Sequence, residues 1–256
     1  MFVLYSQHIE TDEYPRRFDK IRQVLYIVDM NYETLVQTLR ENSNKAYDDF
    51  NNTIVNSQVP TIGCTLPYMR KIAKNFTVDE VEHFPVHAFY EVDMLRGIVV
   101  SNCKLPFEEK AVHLKNFAMG VENWAVCDCS TVKVPKAERE KYFEFFCNLL
   151  PSEQPFVSRY GVVNLLSNYL DDEHIDEVFA ALKTITQWGH YYVDMAVAWL
   201  VATAMAKCRD ATVAYMEGDG KSVLNKFAYN KALQKMRESY RVSPADKQWT
   251  YTMKMQ

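Results

Sequence analysis

Phe156-Val157-Ser158-Arg159-Tyr160-Gly161-Val162-Val163 can be laid on Tyr192-Val193-Asp194-Met195-Ala196-Val197-Ala198-Trp199 at an offset of 36 residues. A second echo joins Tyr90-Glu91-Val92-Asp93-Met94 to Tyr192-Val193-Asp194-Met195. Taken singly, each echo is what two amphipathic helices share by chance. Taken with helix pairs that recur every ~35–45 residues, they favour a solenoid of HEAT type over a compact bundle. The expected fold is therefore all-α: a HEAT-like repeat α-solenoid, a superhelix of antiparallel helix pairs with a concave face. A long ligand suits such a face.

Outward from these segments the pattern stays helical. Asn31 to Glu41 and Lys45 to Asn56 carry apolar residues at spacings of three and four. Thr65 stands as an N-cap with Pro67 in the first turn of a helix that ends near Asn75. Thr77-Val78-Asp79-Glu80 reads as a capping box. Further helices are expected over 86–102, 106–119, 123–132, 136–150, 154–170, 172–186, 189–208, 209–217 and 222–241. Residues 1–29 read either as an N-terminal extension or as an extra helix, 30–245 as the repeat domain and 246–256 as a C-terminal tail.

Composition agrees. The 256 residues include 7 glycines, whereas open α/β sheets and sandwiches consume glycine at turns and phosphate loops. The apolar share of 48% and charged share of 24% are globular values, which excludes a disordered or collagenous chain. The formal charge of −4 argues mildly against a nucleic-acid partner, although net charge does not fix the charge of one face. Tyr191 to Ala206, interrupted by Asp194, is too short to span a bilayer, and no signal peptide opens the sequence. These features point to the cytoplasm and to no membrane partner.

Standard motif chemistry is absent. GDGK at 218–221 lacks the preceding strand and the phosphate-loop spacing and reads as a turn. Six cysteines form no CxxC pair, and the CxC of Cys127 and Cys129 lies in an apolar segment, so buried free thiols are expected and no metal. The informative segment is Glu122-Asn123-Trp124-Ala125-Val126-Cys127-Asp128-Cys129. Asn123 can cap a helix from which Trp124 and Asp128, four apart, project on one face. Read from the residues alone, Trp124 serves equally as a core anchor and Asp128 as a surface group or a cap.

That Trp-x-x-x-Asp segment resembles the corresponding element of the AlkD-like DNA alkylation repair family of HEAT-repeat glycosylases. Four further stretches resemble the family in order: Gly63 to Lys74, Phe156 to Val163, Tyr191 to Leu200 and Asn230 to Arg241. The resemblance covers roughly residues 30–245. It implies a DNA glycosylase that excises alkylated, cationic purines such as 3-methyladenine and 7-methylguanine from duplex DNA, as a monomer without a cofactor. It implies Asp128, Trp124 and Trp199 around the lesion and Arg159 at the DNA backbone.

The implied chemistry is coherent. N-alkylation leaves the base cationic, so it departs neutral and needs no general acid. Positive charge develops on the sugar, where a carboxylate and indole faces stabilise it. Arg70, Lys71 and Lys74 lie three and four apart, a basic stripe that could follow phosphates or simply be solvated, and Tyr192 is expected at the groove with Tyr191 in the core. Arg159 has a second reading, as the partner of a carboxylate such as Asp171 or Glu153. Two rival functions share the fold: a non-catalytic binder of DNA structure and a protein-binding solenoid.

Overall fold

The structure, a computed structural model, describes residues 31–255, so the readings of residues 1–29 lie outside the described residues. It is all-helical, with no strand among the described residues. The chain divides into two units. The first, ending at Asn42, contributes α1 (Tyr32–Glu41), whose first turn is closed by the Asn31 side chain accepting from the Thr34 N–H at 2.9 Å.

The second unit holds α2 (Lys45–Val55), α3 (Leu66–Ile72), α4 (Val78–Glu82), α5 (Tyr90–Asn102), α6 (Phe107–Met119), α7 (Trp124–Cys129) and α8 (Arg139–Cys147). It continues with α9 (Pro155–Asn168), α10 (Ile175–Ala181), α11 (Tyr191–Lys207), α12 (Arg209–Glu217), α13 (Gly220–Val223), α14 (Lys226–Glu238) and α15 (Pro244–Thr252). Helices α5, α7, α9, α11 and α14 form one row in which each packs on the next. Outside the row, α6 packs on α5 and α9, α8 on α9, α12 on α11 and α15 on α14.

The row is built around α11. Its Val193, Ala196, Val197, Ala198, Leu200, Val201 and Ala204 are all fully buried. Burial on most sides, with the stripe of Tyr192, Met195, Trp199 and Thr203 left partly exposed, is what a helix between two neighbours, here α9 and α14, gives. Each Val or Leu so buried contributes roughly 1.5–3 kcal/mol. Helix α9 approaches α8 and the turn after it closely at Gly161: a Cβ there would lie 2.7 Å from both Leu150 Cδ1 and the Phe146 carbonyl oxygen.

Side-chain caps set many boundaries. Thr77 and Glu80 form the expected capping box: the Glu80 N–H donates to Thr77 Oγ1 at 3.3 Å, and the Thr77 N–H to Glu80 Oε2 at 2.6 Å. Thr65 occupies the expected N-cap position with Pro67 behind it, without a side-chain hydrogen bond. Glu91, 1% exposed, accepts from the backbone N–H groups of Ile62, Gly63 and Cys64 and so fixes the chain entering α3.

Several expected boundaries shift, each for a visible reason. The helix expected over 86–102 starts only at Tyr90, because His87 is left-handed at φ 58° and its N–H turns back to Asp93 Oδ1 at 3.2 Å. The helix expected over 123–132 ends at Cys129, because the N–H of Val132 is taken by Asn164 of α9. The helix expected over 222–241 divides around Asn225, whose side chain caps α14 at the Ala228 N–H. Residues 218–221, read as a turn, contain the start of α13. Helix α15 occupies most of the stretch expected as a tail from 246. Ser243 caps it, and Arg209 Nε donates to Asp246 Oδ1 at 2.9 Å.

The echo between Asp93 and Asp194 has a structural counterpart. Both carboxylates are buried in the first turn of their helix, and both accept from the backbone of the preceding loop at 3.2 Å, Asp93 from His87 and Asp194 from Gly189. Asp194 also accepts from Asn225 Nδ2 at 2.8 Å, which joins the N-terminal ends of α11 and α14.

Candidate functional site

The site is built where α9 grips α7. Asn123 caps α7 as expected: its Oδ1 accepts from the Ala125 N–H at 2.8 Å, while its Nδ2 donates to the Val55 carbonyl at 3.0 Å. Trp124 opens the helix, partly buried, and Asp128 follows one turn later. From there the chain leaves α7 along α9. Arg159 holds Asp128, the Tyr160 hydroxyl donates to the Ser130 carbonyl at 3.0 Å, Asn164 accepts from the Val132 N–H at 2.9 Å, and Asn168 donates to the Val132 carbonyl at 3.1 Å.

Arg159 is therefore not an open surface cation. It is 5% exposed. Its Nε donates to Asp128 Oδ1 at 3.0 Å and its Nη2 to Asp128 Oδ2 at 2.8 Å, a two-pronged pair that orients the carboxylate plane. Its Nη1 donates to the Tyr192 carbonyl of α11, and the guanidinium lies 6.0 Å from the centre of the Tyr192 ring. Asp171 and Glu153, the partners considered from sequence, do not take it. Asp171 pairs instead with Arg139.

Burial pushes the Asp128 carboxyl above the ordinary aspartate range, and the Arg159 guanidinium opposes that rise without cancelling it. The flanking thiols rise as well. Burial is the main cause for both, with the Asp128 charge adding to it: Cys127 is raised well above its usual value and Cys129 is pushed up to about 11. All six cysteines are free thiols.

The remaining expected residues fall into two groups. Tyr192 and Trp199, on α11, are both partly buried, and Tyr192 lies against Phe156 with ring centres 5.3 Å apart. Arg70 of α3 is exposed, and its charge reaches Cys129 next to Asp128. Lys71 and Lys74 are exposed, with no ion-pair partner among the described residues, and the structure links neither directly to Asp128. Tyr191, expected in the core, is 55% exposed.

Two lysines that sequence reasoning passed over belong to the same neighbourhood. Lys235 of α14 is half-buried, and burial lowers its ammonium from the ordinary range; the charges of Lys231 and Arg159 lower it further, against Glu238. The signal was available in Lys231 and Lys235, one turn apart on one helix face.

Two other features lie apart from this site. A cavity of about 310 Å³ is lined by Tyr90, Asp93, Arg96 and Asn123 among others, but by none of Trp124, Asp128, Arg159, Tyr192 or Trp199. Asp171, Glu173 and His174 bring potential ligand atoms within 4.8 Å of one another, but Arg139 engages Asp171, and Glu140 engages His174. No helix among the described residues is long and apolar enough to cross a membrane.

The family model described as DNA alkylation repair enzyme matches residues 35–236. No curated protein and no solved structure matches the chain. The matched span takes in every expected site residue, from Arg70 to Trp199, and most of the sequence: the chain belongs to the DNA alkylation repair enzyme family.

Proposed function

We propose that the chain is a DNA glycosylase that hydrolyses the N-glycosidic bond of alkylated, cationic purines in duplex DNA. Its row of helices is read as a HEAT-like solenoid, and the face that carries Asp128 as the DNA-binding face. The observation that carries this reading is the Asp128 carboxylate, with 14% of its side chain exposed, held in a fixed plane by a guanidinium one layer deeper.

Asp128 stabilises the oxocarbenium charge that develops on the deoxyribose as the neutral base leaves, and positions the attacking water. Trp124 and Trp199 offer ring faces to the same cation. Arg159 acts through Asp128 and Tyr192, as a positioning residue. Arg70, Lys71 and Lys74 contact phosphates and carry the salt dependence of binding.

The test is release of 7-methylguanine and 3-methyladenine from methylated duplex DNA by the purified protein. Release with wild type and not with Asp128→Asn supports the assignment. DNA binding without release supports the non-catalytic binder of the same fold instead.

A further inference from the structure

From Asp128 an unbroken line of contacts leads out to the surface. Arg159 bridges the Asp128 carboxylate and the Tyr192 ring. The Tyr192 and Tyr191 rings lie edge to face with centres 5.3 Å apart, and Tyr191 and Phe227 follow at 6.1 Å. Lys231 closes the line, its ammonium 5.7 Å from the centre of the Phe227 ring.

Tyr191 is 55% exposed and Phe227 is 43% exposed. Water-facing rings give up apolar area that a packed core would use, and an exposed pair continuous with a buried carboxylate offers its π faces to a flat ligand. The two rings are carried by the N-terminal turns of α11 and α14, which the Asp194–Asn225 hydrogen bond ties together. The surface is thus preformed, with side chains of few rotatable bonds.

We propose that Tyr191 and Phe227 form a stacking surface for one unpaired nucleobase of the DNA, with Lys231 receiving its phosphate. This rests on the DNA-glycosylase reading and adds to it a preference for DNA in which a base has left its pair. A nucleobase is the ligand that matches both chemistries: every base has a π face, and each carries a phosphate for the cation. The position suits the base opposite or next to the lesion, released when the sugar is drawn toward Asp128.

The experiment compares a fully paired duplex with the same duplex carrying one unpaired 2-aminopurine, by binding affinity and by 2-aminopurine fluorescence. The wild-type protein is expected to bind the second duplex about fivefold or more tightly and to quench its fluorescence, since one base–aromatic stack supplies that much. Tyr191→Ser and Phe227→Ser should each remove the preference and the quenching while leaving affinity for the paired duplex within about twofold. Tyr191→Phe and Phe227→Tyr, which keep the ring, should retain both.

Equal binding of the two duplexes by wild type, or a preference that survives both serine variants, overturns the stacking surface alone. That outcome is separable from failure of the glycosylase reading. A wild-type protein that binds both duplexes alike and still releases 7-methylguanine keeps the enzyme and loses the surface. A protein that binds neither duplex loses both.

Discussion

Arg159 and Asp128 stand 31 residues apart in sequence and meet through two hydrogen bonds, so the carboxylate cannot turn about its own axis without breaking both. A charge held this way needs no reorganisation when a cation forms beside it. At about 4 Å and an effective dielectric of about 20, such a charge is worth ~4 kcal/mol. Asp128→Asn should therefore slow single-turnover release of 7-methylguanine by roughly 10²–10³. The amide, unlike a protonated carboxyl, also turns an NH2 group toward one of the two Arg159 donors and leaves that buried N–H without an acceptor, at a cost of about 3 kcal/mol. Melting should fall by about 6–12 °C, at ~2–4 °C for each kcal/mol. A variant that still releases base within about threefold of wild type would refute the role of Asp128.

The double variant Asp128→Asn with Arg159→Gln separates the two effects. Removing both charges relieves the unpaired guanidinium, so stability should recover by about half or more of what the single variant lost. Excision should not recover, because no negative charge returns. Recovery of both would mean that Asp128 acts on folding only. The measurements are thermal melting and single-turnover rate on the same preparations.

Acid should stop the enzyme before it unfolds this site. Burial raises the Asp128 carboxyl in the folded protein above its unfolded value of about 3.9. A group raised on folding holds its proton more tightly when folded. Its contribution to stability is present in full below the unfolded value and is lost as pH rises through the folded one. Catalysis runs the other way, since only the ionised carboxylate stabilises a cation. The rate should therefore decline on the acid side at a pH above the ordinary aspartate range, while the residual rate of Asp128→Asn shows no such decline. An Asp128-dependent limb centred at or below about 3.9 would contradict the buried setting.

Salt should discriminate between the cations. Lys71→Ala and Lys74→Ala, at exposed positions without ion-pair partners among the described residues, should each reduce the log–log salt slope by about 0.9. Arg159→Gln, at a position 5% exposed, should leave that slope unchanged. A full unit lost at Arg159 would show that its guanidinium swings out to a phosphate.

Gly97→Ala tests how tightly α7 is set. A Cβ at Gly97 would lie 2.0 Å from Ser130 Oγ, at the end of α7, and 2.5 Å from Phe117 Cζ. Ser130 is fully buried, and its hydroxyl donates to the Val126 carbonyl at 2.7 Å. Overpacking of this kind costs about 1–3 kcal/mol. Melting should drop by about 2–12 °C at ~2–4 °C per kcal/mol, with excision reduced through displacement of α7. An unchanged melting point would mean that α5 and α7 part without cost.

The helices were legible wherever a local rule decides them. Thr77 with Glu80, Asn123 before Trp124 and Pro67 after Thr65 each act within four residues, and each stands where the sequence put it. The end of α7 was not legible, because Asn164, 32 residues away, competes for the Val132 N–H. The same distance hid the partner of Arg159: Asp171 and Glu153 were nearer candidates, and only the packing of α7 on α9 selects Asp128. Helix α15 was missed although Ser243, Pro244 and Asp246 spell an N-terminus, because the resemblance stopped short of it. For Tyr191 and Tyr192, apolar periodicity gives a face and no depth, so the exposure of Tyr191 could not be read from it.

Gly161 sits two residues beyond Arg159, with α8 and its following turn pressed against its bare Cα. A missing side chain there sets how far an arginine reaches. Were a side chain at 161 to push α9 off α8 by the width of one methyl group, the helix would move toward α7, and both Arg159 bonds to Asp128 would be displaced together. The precision of a charged pair on one side of the helix is thus inherited from a close approach on the other. A variant at 161 would betray itself by a carboxylate present in the sequence, intact in chemistry, and out of alignment.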